Sequence, residues 1–262
     1  ENYIDDKPFS NEEFFNIFSD AIKVRTNADV PVANFLSGGI DSTSIIKNMA
    51  DNEIKINSFS IYLQENKYDE SKYAKKVVEK YNLNHKSTII SSEISINEIN
   101  QALNSLDEPY SDPSVVPSFI LSNQISKYYK VAISGDGGDE LMGGYERTIK
   151  SLKKTGFLSN LISKTYNIYP AILGTGNKLL SKSNNLETKY RSFLEDKKLM
   201  KLLKIKSLEN TFAEGLNYDE DNYYKNLLIA DYKLFLPEMM MFKIDRTSMA
   251  NSLEVRSPFV DH

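Results

Sequence analysis

Three short segments hold most of the residues suited to chemistry. The first is Leu36-Ser37-Gly38-Gly39-Ile40-Asp41-Ser42, which ends the apolar run Val32 to Leu36. Two adjacent glycines permit a tight turn and let backbone approach a ligand closely. An acid and a hydroxyl then open a stretch whose Ile45, Ile46, Met49 and Ala50 form one apolar side, as a helix over Asp41–Asp51 would. Free backbone N–H groups at a helix start, just beyond a strand end, make a phosphate site. The spacing excludes two common phosphate loops. No Gly-Lys-Ser/Thr follows at Walker A spacing, and no third glycine opens the helix as a dinucleotide fingerprint requires. A strand–helix turn without a ligand is the plain alternative for this segment alone.

The second segment is Ser134-Gly135-Asp136-Gly137-Gly138-Asp139-Glu140, directly after the short apolar run Val131-Ala132-Ile133. It is a second strand end with a polar, glycine-rich turn. Its spacing does not fit a calcium-binding EF-hand loop. Open α/β sheets bind ligands outside the carboxyl ends of their strands, at a switch point, so both turns are expected to face one crevice. The third segment, Lys243 to Phe259, interleaves Lys243, Asp245, Arg246, Glu254 and Arg256 with apolar residues. A solvated helix face with ion pairs is the plain reading of those charges; cations serving an anionic crevice are the functional one.

The remaining periodicities supply elements to carry these segments. Ser10 and Glu13 make a capping-box pattern ahead of a helix with Phe14, Phe15, Ile17, Phe18 and Ile22 on its apolar face. Strands are predicted over Ile54–Leu63 and His85–Ser91, and helices from Asp69-Glu70-Ser71, over Ser95–Leu106 and over Ser118–Tyr129. Pro109 to Pro117 reads as a loop. Strands alternating with helices point to parallel βαβ units and hence an α/β fold with a doubly wound parallel sheet. Beyond about Tyr145 the strand pattern stops, and Leu186–Ile205 and Asp221–Phe242 read as helical. The expected division is residues 1–149 as a nucleotide-binding α/β domain and 150–262 as a mostly helical lobe carrying the K-x-D-R-x-S-M segment.

Composition narrows the function classes. With 262 residues, 40% hydrophobic and 26% charged, the chain has the make-up of a soluble globular protein. A net charge of -4 gives no basic surface for nucleic acid. No apolar run approaches the ~18 residues of a membrane span, and no basic-then-apolar leader opens the sequence. The absence of Cys excludes disulfides, thiolate metal sites and a thiol nucleophile. Its two His, His85 and His262, lie far apart in sequence, against a multi-His metal site. A cytoplasmic location is the default expectation.

Taken together and in order, S-G-G-I-D-S at 37–42, S-G-D-G-G-D-E-L-M-G-G-Y at 134–145 and K-I-D-R-T-S-M-A-N-S-L-E-V-R-S-P-F at 243–259 resemble the synthetase half of the glutamine-hydrolysing asparagine synthetase family. Tyr68-Asp69-Glu70, Asp112-Pro113-Ser114 and Leu236-Pro237 support the likeness. The first segment alone resembles the PP-loop of the ATP pyrophosphatases. The resemblance implies a PP-loop ATP pyrophosphatase sheet followed by a mostly helical lobe. It implies ATP and Mg²⁺, a small-molecule carboxylate (aspartate) adenylated with release of pyrophosphate, and ammonia attacking to give asparagine and AMP. It assigns Ser37, Gly38, Gly39, Asp41 and Ser42 to pyrophosphate, with Asp41 reaching the metal. Leu36 and Ile61 would line the nucleotide pocket, and Ser134 and Gly135 would meet the adenosine. Asp136, at a position often Glu in the family, would handle protons as ammonia attacks. Asp139 is the second metal candidate, with Asp112 behind it. Arg246 stands where some relatives carry a Lys that stabilises adenylation, and Lys243 could share that role. Arg forks onto phosphate oxygens whereas Lys acts as a point charge. Glu254 and Arg256 would buttress the site as an ion pair.

Departures from the family pattern matter too. The family carries an N-terminal glutaminase domain with a Cys nucleophile, which this Cys-free chain lacks; it is expected to be a fragment cut at both ends, the full-length protein supplying that domain. Ser257 replaces a usual apolar residue. A homodimer is a further expectation. Amide or lactam formation on another carboxylate, and a catalytically silent nucleotide-binding module, remain open alternatives.

Overall fold

In the computed structural model the described residues are 10–63, 71–90, 95–151, 156–183, 185, 188–189, 192, 197–204 and 223–261. Tyr68-Asp69-Glu70, much of the helix expected over Leu186–Ile205, and His262 lie outside them. The chain divides into two compact units, Glu1–Asp139 with Phe235–His262, and Glu140–Leu234.

The first unit is built on five strands: β1 (Val32–Phe35), β2 (Asn57–Leu63), β3 (Asn84–Ile90), β4 (Val131–Ile133) and β5 (Glu254–Arg256). Their order across the sheet is β3-β2-β1-β4-β5, and all four pairings are parallel. Helix α1 (Asn11–Thr26) precedes β1; between strands run α2 (Ile40–Asp51), α3 (Ser71–Tyr81), α4 (Ile96–Asn104) and α5 (Val115–Ser126), and α6 (Phe242–Met249) precedes β5. Alternation along the strands sorts the core into two faces. Ile133 packs with Phe18 and Ile22 of α1 and Ile45 and Met49 of α2 on one face. Ala33, Phe59 and Ala132 pack with Leu121 and Ile125 of α5 and with Leu253 on the other. Helices therefore cover both faces, and the fold is the expected α/β class with a doubly wound parallel sheet.

Two local differences have physical causes. Helix α5 starts at Val115, three residues before the predicted Ser118, and takes in Pro117. A helix's first turn has N–H groups without intrahelical partners, so a proline there costs no hydrogen bond. The full capping box belongs to Ser95 and Glu98 at the start of α4; at α1, Ser10 accepts from the Glu13 N–H at 3.3 Å.

The larger difference concerns residues 235–262. Expected in a helical lobe beginning at 150, they belong instead with the sheet: α6 packs on α5, and β5 pairs with β4 from Val131↔Glu254 to Ile133↔Arg256. The reason is burial. Leu253 is fully buried in the same cluster as Ala132, and the Phe259 ring lies tilted 4.8 Å from that of Phe18.

Among the described residues, the second unit contains helical segments and no strand, including Glu146–Ser151, Phe157–Ser163 and Tyr223–Ala230. Within it Arg147 pairs at 3.0 Å with Asp231, whose side chain is 1% exposed, and lies over the Tyr145 ring. From Asp231 the chain takes a π-helical course to Met241 with Pro237 inside, then enters α6.

Candidate active site

The strand order reverses at β1 and β4, which pair with each other and lead into the two glycine-rich turns. Ligands of open α/β sheets bind at such a switch point. Gly38 has φ 91°, open to glycine at little cost. Gly39 is the N-cap of α2 and, having no side chain, caps none of the helix's first N–H groups itself. The turn is wired by its own hydroxyls. Ser42 Oγ accepts from the Ser37 N–H at 3.3 Å and lies 3.1 Å from Ser37 Oγ, which accepts from the Gly39 N–H at 3.0 Å.

The second turn closes onto the first. A Cβ on Gly135 would lie 3.1 Å from Ser42 N and 3.2 Å from Asp41 Cβ, and one on Gly138 only 2.5 Å from Asp41 Cγ. The Asp41 carboxylate therefore rests against Gly138, next in sequence to Asp139. Oxygen donors from one or two carboxylates, completed by phosphates, are what Mg²⁺ takes. Asp41 and Asp139 fit that donor set, and no cluster of three or more metal-type side chains occurs among the described residues. The other side of the turn is held by distant residues. Ser134 N–H donates to Arg256 O at 3.0 Å, Ser257 Oγ donates to Asp136 O, and a Cβ on Gly137 (φ 92°) would meet Val260 Cγ2 at 2.8 Å.

Lys243 enters from α6. It is 6% exposed, and its Nζ donates to Ser114 Oγ at 2.9 Å and Asp112 Oδ2 at 3.3 Å. Burial pushes the Asp136 carboxyl above its usual range, while Ser134 and the Lys243 charge pull the other way. Desolvation also acts on Asp112, but the Ser114 hydroxyl and N–H, joined by Lys243, outweigh it and hold that carboxyl below its usual range. Tyr110 is pushed well up, by desolvation first and then by the charges of Asp112 and Asp136. Tyr110 thus feels the charges of Asp112 and Asp136, and each of those carboxyls feels that of Lys243. Within the unit, the Gly135–Gly138 turn thus lies against Asp41 and Ser42, and Asp136 of that turn feels the charge of the buried Lys243 ammonium.

Other predicted residues sit differently. Leu36 is buried among Ile46 and Ala74, with its N–H on Phe59 O and its carbonyl taken by the Ser60 hydroxyl. Ile61, in β2, is partly buried against the core. Arg246 is 44% exposed at its side chain, pairs with Asp107 at 3.0 Å and lies over the Phe242 ring. Glu254 and Arg256 form the expected ion pair at 2.7 Å, and Arg256 also donates to the carbonyls of Arg25 and Asn27 at the end of α1. His85 faces Ser58 at the amino end of β2, opposite the crevice end of the strand. Sequence reasoning assigned no role to Tyr110 or Ser114. The Asp-x-Ser spacing of an Asx turn was the available signal for Ser114; Tyr110 had none.

An α/β sheet with an anion-type turn at its switch point, faced by a carboxylate-bearing turn, defines a nucleotide- or phosphate-handling class of protein. Residues 13–262 match the asparagine synthase family, and the chain belongs to it. It is 29% identical over 259 residues to asparagine synthetase [glutamine-hydrolyzing] 1 of Bacillus subtilis, covering 92% of this chain and 40% of that protein. A putative asparagine synthetase [glutamine-hydrolyzing] of Mycobacterium bovis is 29% identical over 268 residues, 95% of this chain and 40% of its own length. A putative asparagine synthetase [glutamine-hydrolyzing] 2 of Methanocaldococcus jannaschii is 38% identical over 142 residues, 53% of this chain and 27% of its own. The chain thus spans about two fifths of the length of the first two relatives.

Proposed function

We propose that this chain is the ATP-dependent amide-forming part of a synthetase, adenylating the side-chain carboxylate of aspartate and passing the acyl group to ammonia. The observation that carries the reading is the closure of the Gly135–Gly138 turn on Asp41, which joins the two turns at the switch point.

In this reading the Ser37–Ser42 turn takes the pyrophosphate. Its N–H groups and the Ser37 and Ser42 hydroxyls, which bond to one another in the free protein, would turn to phosphate oxygens. Ser134 and Gly135 would meet the adenosine part. Mg²⁺, when held by Asp41 and Asp139, would neutralise phosphate charge as it develops. Lys243 supplies fixed positive charge near the α-phosphate, where two anionic reactants meet; preorganised charge in a partly dry site lowers such a barrier. Arg246 would have to leave Asp107 to join it. A carboxyl raised by burial suits Asp136 for taking a proton from attacking ammonia. The matched relatives are named for glutamine hydrolysis, which supports a glutaminase domain as the ammonia source in the full-length protein.

The test is direct. The protein carrying this chain is incubated with ATP, Mg²⁺, ammonium and a panel of carboxylic acids, and AMP, pyrophosphate and amide are measured. Aspartate alone is expected to give all three in equal amounts. Turnover with a different acid would replace aspartate while keeping the chemistry. Calorimetric ATP binding with no pyrophosphate from any acid, by a folded protein, would sink the enzymatic reading.

A further inference from the structure

Ser114 is the N-cap of α5, yet its hydroxyl makes no capping bond to the helix. Serine at that position usually accepts from the helix's own N–H groups. Here the hydroxyl is used elsewhere. It donates to Asp112 Oδ2 at 2.7 Å and accepts from Lys243 Nζ at 2.9 Å, across 129 residues of sequence. The Ser114 N–H donates to Asp112 Oδ1 at 2.9 Å. Asp112 also accepts from Lys243, so the three residues form a closed triangle. An ammonium has three donors. Two of them meet these oxygens; the remaining near neighbour is Met240 Sδ at 3.7 Å, a weak acceptor. That leaves the ammonium oriented, with one direction toward which a ligand oxygen competes only with a thioether. In the same loop, the Tyr110 hydroxyl donates to Met239 O, just ahead of α6.

We infer that Asp112 and Ser114 are positioning residues for the Lys243 ammonium, holding it toward the crevice, and that Asp112 serves this purpose in place of binding metal. The inference rests on the proposed reading of Lys243 as the cation of the reaction. The triangle does two things a free lysine could not. It removes the rotamer freedom of a long side chain before substrate arrives, and it balances the buried charge without covering the third donor. Preorganisation of this kind acts on turnover, because a charge displaced by about 1 Å can cost as much as 10²-fold. The phosphate turn is separate, so ATP binding depends on it little.

The experiment compares Ser114→Ala, Ser114→Thr and Asp112→Asn in the protein carrying this chain, by steady-state pyrophosphate release and by NMR of lysine side-chain ¹⁵Nζ. Ser114→Ala is expected to lower kcat about tenfold while changing the KM for ATP less than about twofold. Ser114→Thr, which keeps the hydroxyl, is expected to restore most of the rate. The Lys243 ammonium is expected to give a sharp signal in the native protein because its hydrogen bonds slow proton exchange, to broaden in Ser114→Ala and Asp112→Asn, and to return in Ser114→Thr. An unchanged signal in Ser114→Ala overturns the positioning role whatever the rates. Equal loss in Ser114→Ala and Ser114→Thr overturns it as well, by showing that bulk and not the hydroxyl matters. Native turnover in Lys243→Met would instead remove the underlying reading of Lys243, and the NMR comparison would still decide the triangle.

Discussion

The two glycine-rich turns of the crevice are built in opposite ways. The turn after β1 is knit by short-range bonds: hydrogen bonds join Ser37, Gly39 and Ser42, residues no more than five apart. The turn after β4 is held from outside. Arg256 and Ser257 bond to it from about 120 residues away, Val260 packs over Gly137, and Asp41 fills the space above Gly138. The first can form as soon as its strand and helix form. The second exists only when β5 has paired with β4. One turn is thus made by local geometry, and the other carries acids placed by long-range packing.

Substitutions that attack the second turn should therefore separate chemistry from folding. The largest effect is expected for Gly138→Ala. The new Cβ would lie 2.5 Å from Asp41 Cγ, and the short carboxylate has to swing aside. Pyrophosphate release should fall on the order of 10²-fold with the unfolding midpoint little changed; full activity would show that Asp41 need not sit there. Lys243→Met comes next. It leaves Asp112 without its charged partner, and because Asp112 is partly exposed the loss should be on the order of 2–3 kcal/mol, at or below the figure for breaking a fully buried pair. Urea unfolding reads this directly.

Gly137→Ala tests the packing side of the same turn. Its φ of 92° and the 2.8 Å approach to Val260 predict about 1–3 kcal/mol of destabilisation. A matching change at Gly156, which has open space around it, should cost far less. Ser257→Ala removes the hydroxyl that bonds to Asp136 O and should cost about 1 kcal/mol.

The smallest effect is a contrast in pH dependence. The folded-state carboxyl of Asp136 is raised, so the folded protein holds its proton longer than the unfolded chain. Stability from that group falls as pH rises from the ordinary carboxylate value through the folded one, and Asp136→Asn should raise stability at neutral pH while lowering activity. Asp112 is lowered, so its contribution is present above the ordinary carboxylate value and is lost as pH falls through the folded one. Stability differences of Asp136→Asn and Asp112→Asn against the native protein, followed from acid to neutral pH, should slope in opposite directions. Slopes of the same sign would mean that burial at Asp136 and the Ser114 hydrogen bonds at Asp112 do not set the two acids apart.

The strands β1 to β4, helices α1 to α4 and both turns were readable because each rests on residues close in sequence: apolar period, glycine pairs, capping serines. Strand β5 was not. Glu254-Val255-Arg256 is three residues long with one apolar side chain, too short for periodicity to speak. It becomes a strand because β4 offers an open edge and Leu253 a place in the core. The same applies to Ser114. Its identity suggested a cap or a turn, and only the arrival of Lys243 gave its hydroxyl another partner. The surroundings of the candidate residues differ along that line: Ser37 and Ser42 bond to each other within one turn, whereas Arg246 pairs with Asp107 at the surface and Leu36 lies in the core.

What this sequence determined by itself is the Ser37–Ser42 turn and the strand–helix alternation that repeats around it. Hydrogen bonds over a few residues and side-chain periodicity are properties of the local chain, and they need no partner to be specified. What the tertiary structure decided is which charges meet that turn. Lys243 reaches Asp112 across 131 residues, and Asp136 is held by Ser257, just past β5 and 121 residues away. Such contacts depend on burial of Leu253 and Phe259 and on an edge left open by β4, terms that arise only when the whole sheet is assembled.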